Sequence, residues 1–241
     1  MTKTTLLIQS GFFLQRKASQ HFFNLAHRNQ DAHLKVFTYF HDYIKFKVKN
    51  DISKVKEIFK GLSFTDEELT FVSSLFHKKY YKKGTIIFKA NDIVDDMFYI
   101  SDGCLRTYYM SRSGKQHTVQ FGIKDWWITD FTAYFSSSKA IMNLEVIEDT
   151  TLYSLSKFDK ELLYSEIPQV ETFIRKKLES AFAAFQKRII VSLSQSATER
   201  YLVFLDTHNN IEKRLKNYHI ASYLGITNES LSRIRKELYN S

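Results

Sequence analysis

The 241-residue sequence holds one cysteine, one proline and seven glycines, and no long apolar run. Cys104 alone can close no intrachain disulfide, and a cysteine-ligated iron–sulfur cluster or zinc finger needs several thiolates. This usage fits a reducing cytoplasm. Cys104 itself, next to a turn, reads as a buried or idle thiol rather than a redox sensor. No stretch approaches the ~18 apolar residues of a membrane span. The opening Thr4-Thr5-Leu6-Leu7-Ile8-Gln9-Ser10-Gly11-Phe12-Phe13-Leu14 is short and interrupted by polar residues. No convincing small-residue cleavage site follows it, which argues against a signal peptide. There is no Gly-rich phosphate loop, no nucleophile elbow and no His-Glu-x-x-His. Paired carboxylates such as Asp95-Asp96 and Glu148-Asp149 read as turn residues beside strands. An enzyme is therefore not expected, and no catalytic residue is assigned. His77, His117 and His219 are too dispersed to pair as ligands, so neither a metal nor a cofactor is expected.

Hydrophobic residues make up 44% and aromatics 15%, enough to build a core and exclude general disorder. The formal charge of +9 favours polyanionic partners without separating DNA from RNA or an anionic membrane. Residues 1–50 carry eight basic and two acidic side chains, whereas residues 191–241 carry seven and five. Residues 1–50 are thus a basic N-terminal extension of unassigned role. Three readings stay open for it: an extra helical arm that adds DNA affinity, a poorly ordered extension, and an upstream start not used in the cell.

Ile52, Val55, Phe59 and Leu62 recur at helical spacing. Thr65 and Glu68 form a capping box ahead of Leu69, Val72 and Phe76. Between 77 and 155 the pattern changes to short strand-like runs at 85–88, 97–100, 105–110, 118–123, 141–147 and 151–155. Turn signals at Lys83-Gly84, Asp102-Gly103 and Ser113-Gly114 separate them. That spacing predicts a small antiparallel barrel or jelly roll. After Pro168, Val170, Ile174, Leu178, Ala181, Phe185 and Ile189 mark one stripe, and no glycine or proline occurs from 169 to 224. A helix over about 169–193 follows. Its stripe suits packing either on its own chain or along a twin helix.

Near the C-terminus, Ile220, Ala221 and Leu224 give a first helix an apolar face, and Gly225 sits where a turn favours glycine. Thr227 follows as an N-cap, and Leu231, Ile234 and Leu238 are expected to hold a second helix to the core. Thr227, Asn228, Glu229, Ser232, Arg233 and Lys236 are then left on the opposite flank. Hydroxyls, an amide, a carboxylate and cations are the types that read base edges and grip phosphates in the major groove. The bland counterpart is a helical hairpin with a solvated polar face.

Over about residues 60–240 the sequence resembles the Crp/Fnr family of bacterial regulators, and in particular the branch common in Bacteroidetes. The resemblance is carried by Tyr218-His219-Ile220-Ala221-Ser222-Tyr223-Leu224-Gly225-Ile226-Thr227 with Glu229-Ser230-Leu231-Ser232-Arg233-Ile234. Ser196-Ala197-Thr198-Glu199-Arg200-Tyr201, Lys83-Gly84, Met97-Phe98-Tyr99-Ile100, Gly103 and Leu105-Arg106 add to it. The resemblance implies an α+β chain: N-terminal helices, an antiparallel β-barrel or jelly roll of cyclic-nucleotide-binding type, a long dimerisation helix and a C-terminal helix-turn-helix domain. The implied domains are a sensor over 51–167, a dimerisation helix over 168–193 using Ile174, Leu178, Ala181, Phe185 and Ile189, and a DNA-binding domain over 194–241. Glu229, Ser232 and Arg233 match the family's Glu-x-x-Ser-Arg recognition pattern, which implies Glu229 on a cytosine amino group, Arg233 on guanine or a neighbouring phosphate and Ser232 on a base or the backbone. Asn228 stands where the cyclic-AMP receptor branch has arginine.

The implied partners are a palindromic double-stranded DNA site and a second copy of the chain. RNA polymerase is a further candidate, no membrane is involved, and the effector is unidentified. In the sensor the match to cyclic-nucleotide binders fails. Thr129-Asp130 replaces the Gly-Glu pair that holds the ribose, and no arginine occurs from 113 to 174 to take the phosphate. Lys139, alone between Asp125 and Lys157, is a weak substitute for a bidentate cation. Cyclic-nucleotide binding is expected to be lost. Trp127, Thr129, Asp130, Lys139 and Asn143 remain as a candidate effector pocket, although aromatics as dense as Trp126, Trp127, Phe131, Tyr134 and Phe135 usually make plain core. The competing reading is a small-molecule-binding module whose helical tail docks a protein partner.

Overall fold

The computed structural model describes residues 52–208 and 211–240. The expectations for residues 1–50 lie outside the described residues. The chain divides into two compact units, and of the first the described residues are 52–57 and 63–75. They carry most of α1 (Ile52–Ile58) and all of α2 (Asp66–Leu75). The capping box is in place: the Thr65 backbone N–H donates to Glu68 Oε2 at 2.7 Å, and the Glu68 N–H to Thr65 Oγ1 at 3.2 Å.

The second unit comprises residues 58–62 and 76–241. Its strands are β1 (His77–Tyr81), β2 (Ile86–Phe88), β3 (Asp96–Met110), β4 (Gln116–Ile123), β5 (Trp127–Ile128) and β6 (Asn143–Ser156). Its helices are α3 (Phe131–Ser136), α4 (Lys157–Glu166), α5 (Pro168–Ser194), α6 (Ala197–Thr207), α7 (Asn217–Leu224) and α8 (Asn228–Tyr239). The long helix expected over 169–193 is α5, with Pro168 in its first turn.

The sheet departs from expectation in a way that changes its architecture. The runs at 97–100 and 105–110 are one strand, β3, and those at 141–147 and 151–155 are one strand, β6. Asp102-Gly103 is no hairpin turn but a register shift within β3, where the pairing with β6 slips between Ile100 and Leu105. Gly103 makes that slip feasible. Its φ is +103°, and a Cβ there would lie 2.2 Å from Thr150 Oγ1 and 2.7 Å from the Asp149 carbonyl oxygen. Two long strands thus replace four short ones, and the ladder runs β1-β6-β3-β4, with β2 joined to β6 and β5 to β3.

Among the described residues no ladder joins β1 to β4, so the sheet is open, and the expected closed barrel or jelly roll is not formed. The free edge of β4 explains why. The Thr118 N–H donates to Ser222 Oγ at 2.9 Å, and Ser222 Oγ donates to the Gln116 carbonyl at 2.8 Å. Arg188 donates to the Val119 and Thr118 carbonyls. Side chains from α7 and α5 therefore take the hydrogen bonds a closing strand would have made.

Candidate nucleic-acid interface

Four consecutive helical pieces build the C-terminal region. The Ser196 hydroxyl and the Glu199 carboxylate form a reciprocal capping box that starts α6. A short 3₁₀ turn (Glu212–Arg214) leads to α7. Gly225, at φ +71°, ends α7, and its N–H meets the carbonyls of Ala221 and Ser222. The Thr227 hydroxyl then accepts from the Ser230 N–H at 3.2 Å and starts α8. Ile220, Ala221 and Leu224 of α7 and Leu231 and Ile234 of α8 are buried in one cluster with Tyr201, Phe204, Ile211 and Leu215. This is the two-helix arrangement expected from the sequence, with one change. Leu238 is 36% exposed, so α8 is held by Leu231 and Ile234 over its first two turns and its last turn sits less deeply.

Thr227, Asn228, Glu229, Ser232, Arg233 and Lys236 are all exposed. Among the described residues the side chains of Asn228, Ser232, Arg233 and Lys236 have no hydrogen-bond or ionic partner, so they are free for an external one. Glu229 is held below the usual carboxylate range, first by its own backbone N–H and then by the Thr227 hydroxyl. It therefore stays an acceptor at neutral pH. Arg235, two residues from Arg233, is turned the other way. Its guanidinium meets Glu212 at 2.6 Å, the Tyr201 hydroxyl at 3.0 Å and Asn217 Oδ1 at 2.6 Å. It fastens α8 to α6 and the 3₁₀ turn.

The same hydrophobic cluster extends into the sheet through Cys104, Phe121 and Ile147. Polar groups fix that junction. Arg188 of α5 stacks on the Tyr223 ring at 3.9 Å and also donates to the Tyr223 carbonyl at 3.3 Å. Arg214 pairs with Glu148 and donates to the Gly103 carbonyl at 3.0 Å. Within β3, Arg106 is 2% exposed, pairs with Glu145 at 2.6 Å and donates to Thr118 Oγ1 at 3.1 Å. His219 of α7 is buried with neither ring nitrogen bonded, and burial, reinforced by Arg106, Lys216 and Lys83, brings its imidazole down to about 3. Sequence reasoning missed Arg106, Arg188, Ser222 and His219 as junction residues. All four are single polar residues in otherwise ordinary elements; the partners of Arg106, Arg188 and Ser222 reveal those three, and burial reveals His219.

The five residues of the candidate effector pocket do not converge on a free polar site. Asp130 is fully buried. It accepts from the N–H groups of Ala133 at 3.1 Å, Ile141 at 2.8 Å and Met142 at 3.0 Å. Thr129 donates to the Asp96 carbonyl at 2.9 Å, and Asn143 links the Ala90 N–H at 3.2 Å to the Tyr108 carbonyl at 3.4 Å. Trp127 packs on Phe76 and Tyr99, while Lys139 is exposed. Along α5, Ile174 is already buried in its own chain, Leu178 and Phe185 are half-buried, and Ala181 and Ile189 are exposed. Phe182, Ile190 and Leu193 are exposed as well, reaching 82% at Leu193.

Comparison with known proteins agrees with this layout. Residues 78–163 match the cyclic nucleotide-binding domain family. The regulatory protein HlyX of Actinobacillus pleuropneumoniae is 22% identical over 201 residues, covering 75% of this chain and 79% of HlyX. The nitrogen fixation regulation protein FixK of Rhizobium meliloti is 24% identical over 165 residues, covering 66% and 73%. Among solved structures, the c-di-GMP-responsive global regulator CLP of Xanthomonas campestris shares the fold with a TM-score of 0.61 at 13% identity, over 73% of this chain and 92% of CLP. FixK2 from Bradyrhizobium japonicum gives 0.60 at 17% identity, over 68% and 85%. HlyX and FixK are regulatory proteins, not enzymes, and the two solved structures share this chain's fold. Together the matches support a Crp/Fnr-type regulator with a cyclic-nucleotide-binding-like domain. They carry nothing specific to the Bacteroidetes-type branch, which rests on the sequence resemblance alone.

Proposed function

We propose that this chain, with its Crp/Fnr-type fold, is a sequence-specific DNA-binding transcriptional regulator that grips a palindromic site as a homodimer. One observation carries the reading: α8 buries Leu231 and Ile234 while leaving Asn228, Glu229, Ser232, Arg233 and Lys236 in solvent. On this reading residues 51–167 are the sensor, 168–193 the dimerisation helix and 194–241 the DNA-binding domain. The N-terminal turn of α8 enters the major groove. Glu229 accepts from a cytosine amino group, Arg233 donates to a guanine edge or a neighbouring phosphate, and Ser232 contacts a base or the backbone. Lys236 and the α8 N-terminus hold phosphates. Dimerisation is supported by Phe182, Ile189, Ile190 and Leu193 of α5, each more than half exposed, an apolar stripe that a twin helix covers.

Loss of cyclic-nucleotide binding belongs to the same proposal. The carboxylate at the ribose position is saturated by backbone N–H groups, and no arginine occurs from 113 to 174 to take a phosphate. Electrophoretic shift of genomic fragments at rising salt tests the whole reading. The expected result is dimer binding to a palindrome, with affinity falling steeply as salt rises. No salt-sensitive, sequence-selective binding to any fragment overturns it.

A further inference from the structure

A cavity of about 230 Å³ opens between α3, α4 and the first half of α5. None of the five residues expected to form an effector pocket lines it. Its apolar floor is Met97, Ile174 and Leu178, and its walls include Phe135 and Tyr164. Drug-sized ligands occupy pockets of ~300–1,000 Å³, so this one suits a single small ring. A sulfur and two aromatic faces favour an aromatic occupant over an aliphatic one.

Lys160 sets the polar end. Its side chain is only 13% exposed, and its ammonium lies 5.6, 6.0 and 5.2 Å from the ring centroids of Tyr134, Phe135 and Tyr164. A cation enclosed by three rings in apolar surroundings is poorly hydrated and gains most from an anionic partner. Its ionic partner within the chain is the adjacent Glu161 at 2.7 Å, which is 59% exposed and holds it weakly. On the far rim Arg175 is paired with Glu179 at 2.6 Å and Glu171 adds a second carboxylate, which directs an anionic group away from α5 and toward Lys160.

We propose that this cavity binds a small aromatic carboxylate of the benzoate class, with its ring on Met97, Ile174 and Leu178 and its carboxylate on the Lys160 ammonium. As a binding site it stands apart from the DNA-binding reading; as an effector site it rests on that reading. The test is therefore run without DNA. The full chain is titrated with benzoate, and separately with neutral benzyl alcohol, by thermal shift and calorimetry. Benzoate is expected to raise the melting temperature in a dose-dependent way, with benzyl alcohol at least about tenfold weaker. Lys160→Met should abolish the benzoate response, Leu178→Trp should abolish it by filling the cavity, and Lys176→Met on the outer face of α5 should leave it unchanged. No response of the wild type at concentrations on the order of 10 mM overturns the proposal. So does a response of wild-type size in Lys160→Met and Leu178→Trp.

Discussion

Two groups of side chains in this molecule have almost the same chemistry and opposite surroundings. Beside the sheet stand Thr129, Asp130, Lys139 and Asn143; at the head of α8 stand Thr227, Glu229, Lys236 and Asn228. Each group has a hydroxyl, a carboxylate, a lysine and an amide. In the first, every polar side chain but Lys139 is buried and bonded to the backbone of its own chain. In the second, all are exposed, and only Thr227 and Glu229 use hydrogen bonds internally. A polar side chain completed by its own backbone holds the fold, whereas one left in water at the head of a helix is available to a partner. Residue type alone does not separate the two cases.

The sharpest way to break this comparison is to remove one carboxylate from each group. Asp130→Ala leaves one buried and two partly buried N–H donors without an acceptor, and at about 1–3 kcal/mol per unsatisfied group, less than additively, it should lose about 3 kcal/mol of stability in urea unfolding. A loss under about 1 kcal/mol would mean that Asp130 is not structural. Glu229→Ala should leave stability within about 0.5 kcal/mol of wild type. Next in size is Arg233→Ala, which should weaken binding to the cognate palindrome by about 1–3 kcal/mol with relaxed specificity at one base pair, again without a change in unfolding midpoint. A parallel Arg235→Ala should behave oppositely, losing stability first, because its guanidinium ties Glu212, Tyr201 and Asn217 together.

The same contrast marks what was legible in the sequence. The capping box at Thr65, the glycine turn at Gly225 and the burial of Leu231 and Ile234 are local, and each is encoded within a few residues. The strand count was not legible. Asp102-Gly103 has the composition of a hairpin turn, but Gly103 serves a slip in register whose partner, Thr150, is distant in sequence. The open edge of β4 was equally hidden, since its hydrogen bonds go to Ser222 and Arg188, far along the chain. The bonding of Asp130 was hidden for a related reason: two of its three donors, Ile141 and Met142, lie beyond α3 and the loop after it. Short elements such as β5 and α3 hold too few residues to show a period.

His219 extends the comparison to pH. Its imidazole is brought down to about 3, below its ordinary value near 6.5, so the unfolded chain binds a proton that the folded chain refuses. Stability should therefore be full above about pH 6.5 and fall as pH drops toward 3, by at most about 1.4 kcal/mol per pH unit from this group. His219→Leu removes the titration while keeping the volume, and neither ring nitrogen has a partner to lose. Between pH 7 and pH 5 the variant should lose about 1–2 kcal/mol less than wild type in urea unfolding. Identical pH profiles would mean that His219 is solvated in the folded state.

Ser222 gives the smallest effect and the most local one. It lies in the same helix as the apolar anchors Ile220 and Leu224 but faces β4, accepting from the Thr118 N–H and donating to the Gln116 carbonyl. Ser222→Ala removes both bonds and leaves one strand-edge donor unpaired. The net loss should be about 1 kcal/mol, because the partly buried edge can recover water. Hydrogen exchange separates this from a general weakening of the helical pair. Protection should fall at Thr118 and its neighbours on β4, while amides in α8 stay as slow as in wild type. If α8 loosened equally, Ser222 would be part of the helix-turn-helix core itself, and the polar seam along β4 would not be a separate joint.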